Sequence, residues 1–117
     1  MKKIELNISR DFSEFPGLRK KSTSDNSGEE LYESLLRNKF KNAIDKNTKL
    51  SIDFDGTAGC PSSFLDEAFG RLSLEFGYEK CVETLEIISK EQLDLKNDID
   101  NSMREWDKHG VHHNSNR

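Results

Sequence analysis

Leu50-Ser51-Ile52-Asp53-Phe54-Asp55-Gly56 alternates apolar and polar side chains and stops at a glycine, the pattern of a strand that buries one face. Beyond a loop of small residues, Ser62 and Ser63 open a helix whose stripe of Leu65, Ala68, Phe69, Leu72 and Phe76 ends at Gly77. A strand that feeds a helix of this length reaches its next neighbour by a crossover rather than a hairpin. The stretch therefore predicts an α/β domain with a mainly parallel sheet and right-handed connections.

Working outward, Ile4, Leu6 and Ile8 alternate with Lys3, Glu5 and Asn7, which reads as a first half-buried strand over residues 3 to 8. Ser9 to Ser27 turns polar around a Phe15-Pro16-Gly17 turn signal, a long and partly ordered loop with room for a short strand. Ser27, with Glu30 three residues on, opens a capped helix to about Lys46, its stripe being Leu31, Leu35, Leu36, Phe40, Ala43 and Ile44. Leu85, Ile87 and Ile88 form a further strand. A last helix near Glu91 to Lys108 carries only Leu95, Ile99, Met103 and Trp106, a narrow apolar seam in which Trp106 reads as core. The expected fold is one domain over 1–108, a small mainly parallel or mixed sheet of about 3–5 strands with about three helices. Residues 109–117, with His109, His112 and His113, read as a disordered tail.

Composition narrows the function. With 117 residues there is room for one core, and 34% charged residues leave that core modest. The net charge is −4 and the basic residues are scattered, Arg19-Lys20-Lys21 being the densest run, so nucleic acid is not expected as the ligand. No apolar run could span a membrane, and the alternating start does not resemble a signal peptide, so a cytoplasmic protein is expected. Cys60 and Cys81 then read as reduced thiols, and with no Cys-x-x-Cys or Cys/His cluster neither a metal nor a cofactor is expected.

Two constellations could carry chemistry. Asp53-Phe54-Asp55-Gly56-Thr57 at a strand end resembles the first motif of the haloacid-dehalogenase-like phosphatases. That resemblance implies Asp53 as nucleophile and Asp55 as general acid/base, with Mg²⁺ offsetting charge. The lysine and the acidic pair that such a site also needs do not follow on the later strand, which ends in Ser89-Lys90. The structural alternative is that Leu50, Ile52 and Phe54 face the core while Ser51, Asp53 and Asp55 line the other face or the strand end.

The second is broader. Phe15-Pro16-Gly17-Leu18-Arg19, Ser27-Gly28-Glu29-Glu30, Ile52-Asp53-Phe54-Asp55-Gly56 and Ser63-Phe64-Leu65-Asp66-Glu67-Ala68-Phe69-Gly70 together resemble the STAS-like domain family. That resemblance implies a STAS-like fold and kinship with the anti-sigma-factor antagonists, in which a histidine-kinase-like ATPase phosphorylates a serine at a helix start. The matching positions here are Ser62 and Ser63, with Pro61 where an Asp usually precedes them and Phe64 where a Gly usually follows. Ser63 with Asp66 also reads as a plain helix cap. Arg19 with the helix start at Gly28 reads either as an anion cradle or as a guanidinium paired with a carboxylate. The expectation is a non-enzymatic regulatory module that binds a protein partner, a histidine-kinase-like ATPase being the implied candidate, through Ser62, Ser63, Asp53, Asp55 and Arg19. Its rival is a small Mg²⁺-dependent phosphohydrolase built on Asp53 and Asp55.

Overall fold

The computed structural model describes residues 2–110. Its elements are β1 (Ile4–Asn7), α1 (Gly28–Leu31), α2 (Arg37–Asp45), β2 (Leu50–Asp53), α3 (Ser62–Phe76), α4 (Tyr78–Thr84), β3 (Leu85–Ile88) and α5 (Leu95–Asp107). Two π-helical turns, Ile8–Phe12 and Tyr32–Leu36, complete them. The strands lie in the order β1-β2-β3 and both pairings are parallel, Leu6 against Ile52 and Ile52 against Ile87. The α/β class and the parallel sheet are thus as the sequence indicates.

A sheet wound in sequence order moves the same way at each crossover, so right-handed connections carry the helices to one face. Burial agrees with this. Leu6, Ile8, Leu50, Ile52 and Phe54 are all within 1% of full burial on the helix side, while Glu5 is exposed and Asn7 and Asp53 are half-buried on the other. Phe40, Phe54, Phe64 and Phe69 fill the layer between sheet and helices. Phe54 meets Phe69 at a centroid distance of 6.0 Å, within the range for tilted aromatic pairs.

Residues 28–45 form one continuous helical run. Ser27 caps it, its side chain accepting from the Glu30 amide at 3.1 Å. Across the π turn the buried stripe runs on through Leu31, Tyr32, Leu36, Phe40 and Ala43, leaving Leu35 half-buried at its edge.

The structure adds to or departs from the sequence reading in four places. Ile8 leaves β1 and begins the π turn, because Asn7 caps that turn by accepting from the Arg10 amide at 2.9 Å. No strand lies within residues 9–27. Helix α4 was not legible, since its seven residues bury only Cys81 and Thr84 and show no full stripe. The last helix begins at Leu95 rather than near Glu91, residues 91–94 forming a turn that serves the loops described below. At its end, His109 and Gly110 continue a helical turn, their amides bonding to Trp106 and Asp107 carbonyls. The rest of the expected tail, with His112 and His113, lies outside the described residues.

Candidate functional site

In an open α/β sheet the loops at the carboxyl ends of the strands form the natural site, since helix starts and loop amides converge there. Three loops meet at that rim here: the one after β1, residues 54–61 after β2, and residues 89–94 after β3. The Asp53-Phe54-Asp55-Gly56-Thr57 run is the knot that ties them. Asp53 accepts from the Asp55 amide at 2.9 Å, and Asp55 accepts from the amides of Lys90 and Glu91 at 2.8 and 3.1 Å. Glu91 returns the contact by accepting from Gly56 N–H at 2.8 Å, at a position whose φ of +95° favours glycine. Gln92 accepts from the Cys60 amide at 3.1 Å and donates to Thr57 at 2.9 Å. On the other flank, the Ala58 amide donates to the Glu14 carbonyl at 2.8 Å.

The two aspartates expected to carry a site are therefore brought together, but as acceptors of main-chain hydrogen bonds. Among the described residues no group of three or more His, Cys, Asp or Glu side chains is arranged to hold a metal ion. Leu50, Ile52 and Phe54 face the core and Asp53 and Asp55 do not, as the structural reading of the alternation has it.

Ser62 and Ser63 stand at the first turn of α3, Ser62 exposed and Ser63 half-buried. Neither caps the helix. Pro61 occupies the cap position, with φ −57° and ψ 147°, and makes no side-chain cap bond. Because the helix starts at Ser62, both hydroxyls sit one and two residues inside it, past the position from which a side chain reaches the free amides. Asp66, the other half of the expected capping pair, instead accepts from Arg19 at 2.6 Å. Burial pushes the Asp66 carboxyl up, but hydrogen bonds from Arg19, Ser102 and Trp106 outweigh it and hold the group below its ordinary range.

Arg19 is thus not brought to the serines as a free cation. It lies 2.6 Å from Asp66 and 3.4 Å from Glu67, whose side chain is 2% exposed. Glu67 also pairs with Lys20 at 3.2 Å and with Arg71 at 3.0 Å. The anion cradle fails for the same local reason: the Gly28 and Glu29 amides donate to the carbonyls of Leu18 and Arg19. Gly28 itself is required by close approach, since a Cβ there would stand 2.4 Å from the Phe64 carbonyl oxygen of α3. Gly70, further along, lies beneath the Trp106 indole at a similar spacing. The motif residues are in this way the joint between α1, α3 and the Arg19 loop.

What the joint leaves over is apolar. Among the described residues the exposed large hydrophobic side chains are Phe15 at 67%, Leu18 at 51%, Leu93 at 85% and Val82 at 49%. The first three sit on the loops of the rim, and the main chain beneath Phe15 and Leu18 is fixed. Gly17 N–H donates to Asn26 O at 2.8 Å and Leu18 N–H to Ser24 Oγ at 2.8 Å. Sequence reading placed Phe15 and Leu18 in a loop without assigning them a role. Their signal was a pair of bulky apolar residues within a polar segment.

Burial raises the pKa of Cys60 to about 11 and that of Cys81 to about 12.

A singly wound parallel sheet, with helices on one face and a helix-start rim built from these motifs, defines a small α/β domain of the STAS-like kind. Residues 27–94 match the family described as STAS-like domain of unknown function (DUF4325), and the chain belongs to that family. The match begins at the Ser27 cap and ends at Asp94, so β1, the Arg19 loop and α5 pack against it from outside. Comparison with curated proteins and with solved structures found no match. No described helix is long and apolar enough to cross a membrane.

Proposed function

We propose that this domain is a non-enzymatic regulatory module that binds a protein partner through the rim formed by the Phe15–Leu18 loop, the start of α3 and the Leu93 turn. The observation that carries the reading is the display of Phe15, Leu18 and Leu93 on loops whose main chain is locked by hydrogen bonds. Apolar side chains held on a fixed backbone lose little entropy on docking, which is what distinguishes an anchor from a floppy loop. Asp53 and Asp55 serve by pinning that rim and Arg19 by tying its loop to α3. The family kinship makes a histidine-kinase-like ATPase the candidate partner, with Ser62 and Ser63 open to a phosphoryl group. Asp66, Glu67 and their cations stand in the next turn of α3, so an added dianion there would compete for Arg19.

The test is calorimetric binding to a purified histidine-kinase-like ATPase. Phe15→Asp and Leu18→Asp should each weaken binding about tenfold or more while leaving the unfolding free energy within about 0.5 kcal/mol of wild type. Ser62→Asp should weaken it more than Ser62→Ala. Equal binding by all four variants refutes the rim as the contact surface. Sustained Mg²⁺-dependent turnover of a phosphate ester, abolished by Asp53→Asn, would replace this reading with the phosphohydrolase.

A further inference from the structure

The remaining exposed apolar residue, Val82, is on the opposite side of the sheet topology from the loops just described, beside the outer edge of β3. Ile88 C=O accepts from Phe54 N–H at 2.9 Å, so Glu86 and Ile88 turn their main chain toward β2. By alternation Leu85, Ile87 and Ser89 turn theirs outward. The Leu85 amide is satisfied within the chain by the Cys81 carbonyl. No strand lies beside Ile87 among the described residues.

The outer edge of β1 is treated differently. Its Asn7 amide is taken by the Asp11 carboxylate at 2.9 Å, and exposed Lys3, Glu5 and Arg10 flank it. Those are the devices by which edges are kept from pairing. β3 carries no proline and no lysine, and its one charge, Glu86, lies toward Lys3 at 2.7 Å on the helix-free face. On the helix side of this edge an apolar groove is floored by Leu85, Ile87, Ile99 and Met103, between β3 and α5.

The geometry points to this edge as a self-association surface: a second copy of the chain pairs its own β3 antiparallel to this one about a two-fold axis at Ile87. A two-fold contact requires knob and hollow on the same patch, and Val82 standing beside the groove supplies both. It also requires that the patch not repel itself. Glu86 and Asp100 at its rim are already paired with Lys3 and Arg104, at 2.7 and 2.8 Å, and Lys96 has no ion pair among the described residues. The patch lining carries both signs, Lys96 beside Glu86 and Asp100, so across the two-fold axis each copy offers a cation to the other's carboxylates. The Ile87 amide and carbonyl would bond their counterparts, and each Ser89 amide the opposite Leu85 carbonyl, about four main-chain hydrogen bonds in all. The helix-side apolar residues of the two copies close over the seam, producing one continuous six-stranded sheet from two three-stranded ones. The surface is independent of the rim proposed for the protein partner.

Sedimentation equilibrium of the full chain across a wide concentration range tests it. Wild type should show a reversible monomer–dimer equilibrium, and Val82→Lys should weaken it by about tenfold or more, because each half-site would bury an unpaired ammonium. Val82 is half-exposed in the single chain, so that variant keeps its fold. Ile87→Pro removes the outward donor without touching the β2 ladder and should act the same way. Leu93→Lys, on the rim, should leave the dimer unchanged. In hydrogen exchange, the Ile87 amide should gain protection as protein concentration rises. A wild-type chain that stays monomeric overturns the proposal, as does a dimer indifferent to Val82→Lys. So does a monomer that accepts an extended peptide of another protein at β3, which would make the edge a peptide site instead.

Discussion

Gly28→Ala isolates the contact on which the domain depends. The added Cβ would lie 2.4 Å from the Phe64 carbonyl oxygen and 3.1 Å from Glu67 Cβ. An ordinary carbon–oxygen contact is near van der Waals separation, so α1 and the first turn of α3 must part by nearly an ångström. That oxygen belongs to a helix backbone, so no side-chain rotation relieves the overlap. Overpacking of this kind costs about 1–3 kcal/mol, and the higher helix propensity of alanine returns up to about 1 kcal/mol. A further loss follows if the shift opens the Ser27 cap or the Arg19–Glu67 contacts, so a net destabilisation of about 1–2 kcal/mol is expected. Gly70→Ala is the matched control. Its Cβ meets the Trp106 ring at 2.4 Å, but Trp106 is half-buried and can swing aside, so the cost should be smaller and should appear as a change in tryptophan emission. Urea unfolding followed by circular dichroism reads both, with the dependence on urea unchanged if only the folded state is affected. If Gly28→Ala is as stable as wild type, or less damaging than Gly70→Ala, the close approach of α1 to α3 is not what fixes that glycine.

Leu65→Ala and Phe69→Ala, both within 1% of full burial, should each cost about 2–5 kcal/mol in the same assay, several times more than Asp53→Asn. Asp55→Ala should fall between them, since it strands two main-chain donors of the β3–α5 turn, and the reverse order would mean the sheet faces are exchanged. Acid should unfold the domain through its ion-paired carboxylates: Arg37 holds Glu75, and Lys21 holds Glu33, below their ordinary range, and Asp66 is likewise lowered. Because the folded values lie below the unfolded ones, near 3.9 for Asp and 4.3 for Glu, the unfolded chain binds protons first as pH falls. Stability should therefore be level from pH 7 to about 5 and decline as pH drops through about 4 and lower, and a urea midpoint constant down to pH 3 would contradict this. At pH 7.5 an alkylating reagent should modify Cys60 slowly and Cys81 only as the chain opens, with labelling as fast as in urea as the contrary result.

Much of the architecture was legible because it rests on short-range pattern. The alternation around Ile52, the stripe from Leu65 to Phe76 and the Ser27–Glu30 cap each lie within a few residues, and each appears where its period places it. The candidate site was legible only in part. Its motif residues were found, but their partners are distant in sequence: Asp55 holds Lys90 and Glu91, Glu67 holds Arg19 and Lys20, and Gly28 fits against Phe64. Local rules pair Asp66 with Ser63 as a cap, because in an isolated helix that is the nearest donor. In the folded chain Arg19 offers a charged one, and the stronger charge-assisted bond wins.

The sequence by itself determined the crossover units, the parallel sheet and the family, since hydrophobic periodicity and a handful of motif residues suffice for these. Tertiary structure alone decided that all helices share one face, that Asp53 and Asp55 serve as loop acceptors, and that Phe15, Leu18, Leu93 and Val82 remain exposed. Exposure and hydrogen-bond partnership depend on which segments meet in space, and in a chain of crossovers those segments are separated by a whole strand–helix unit.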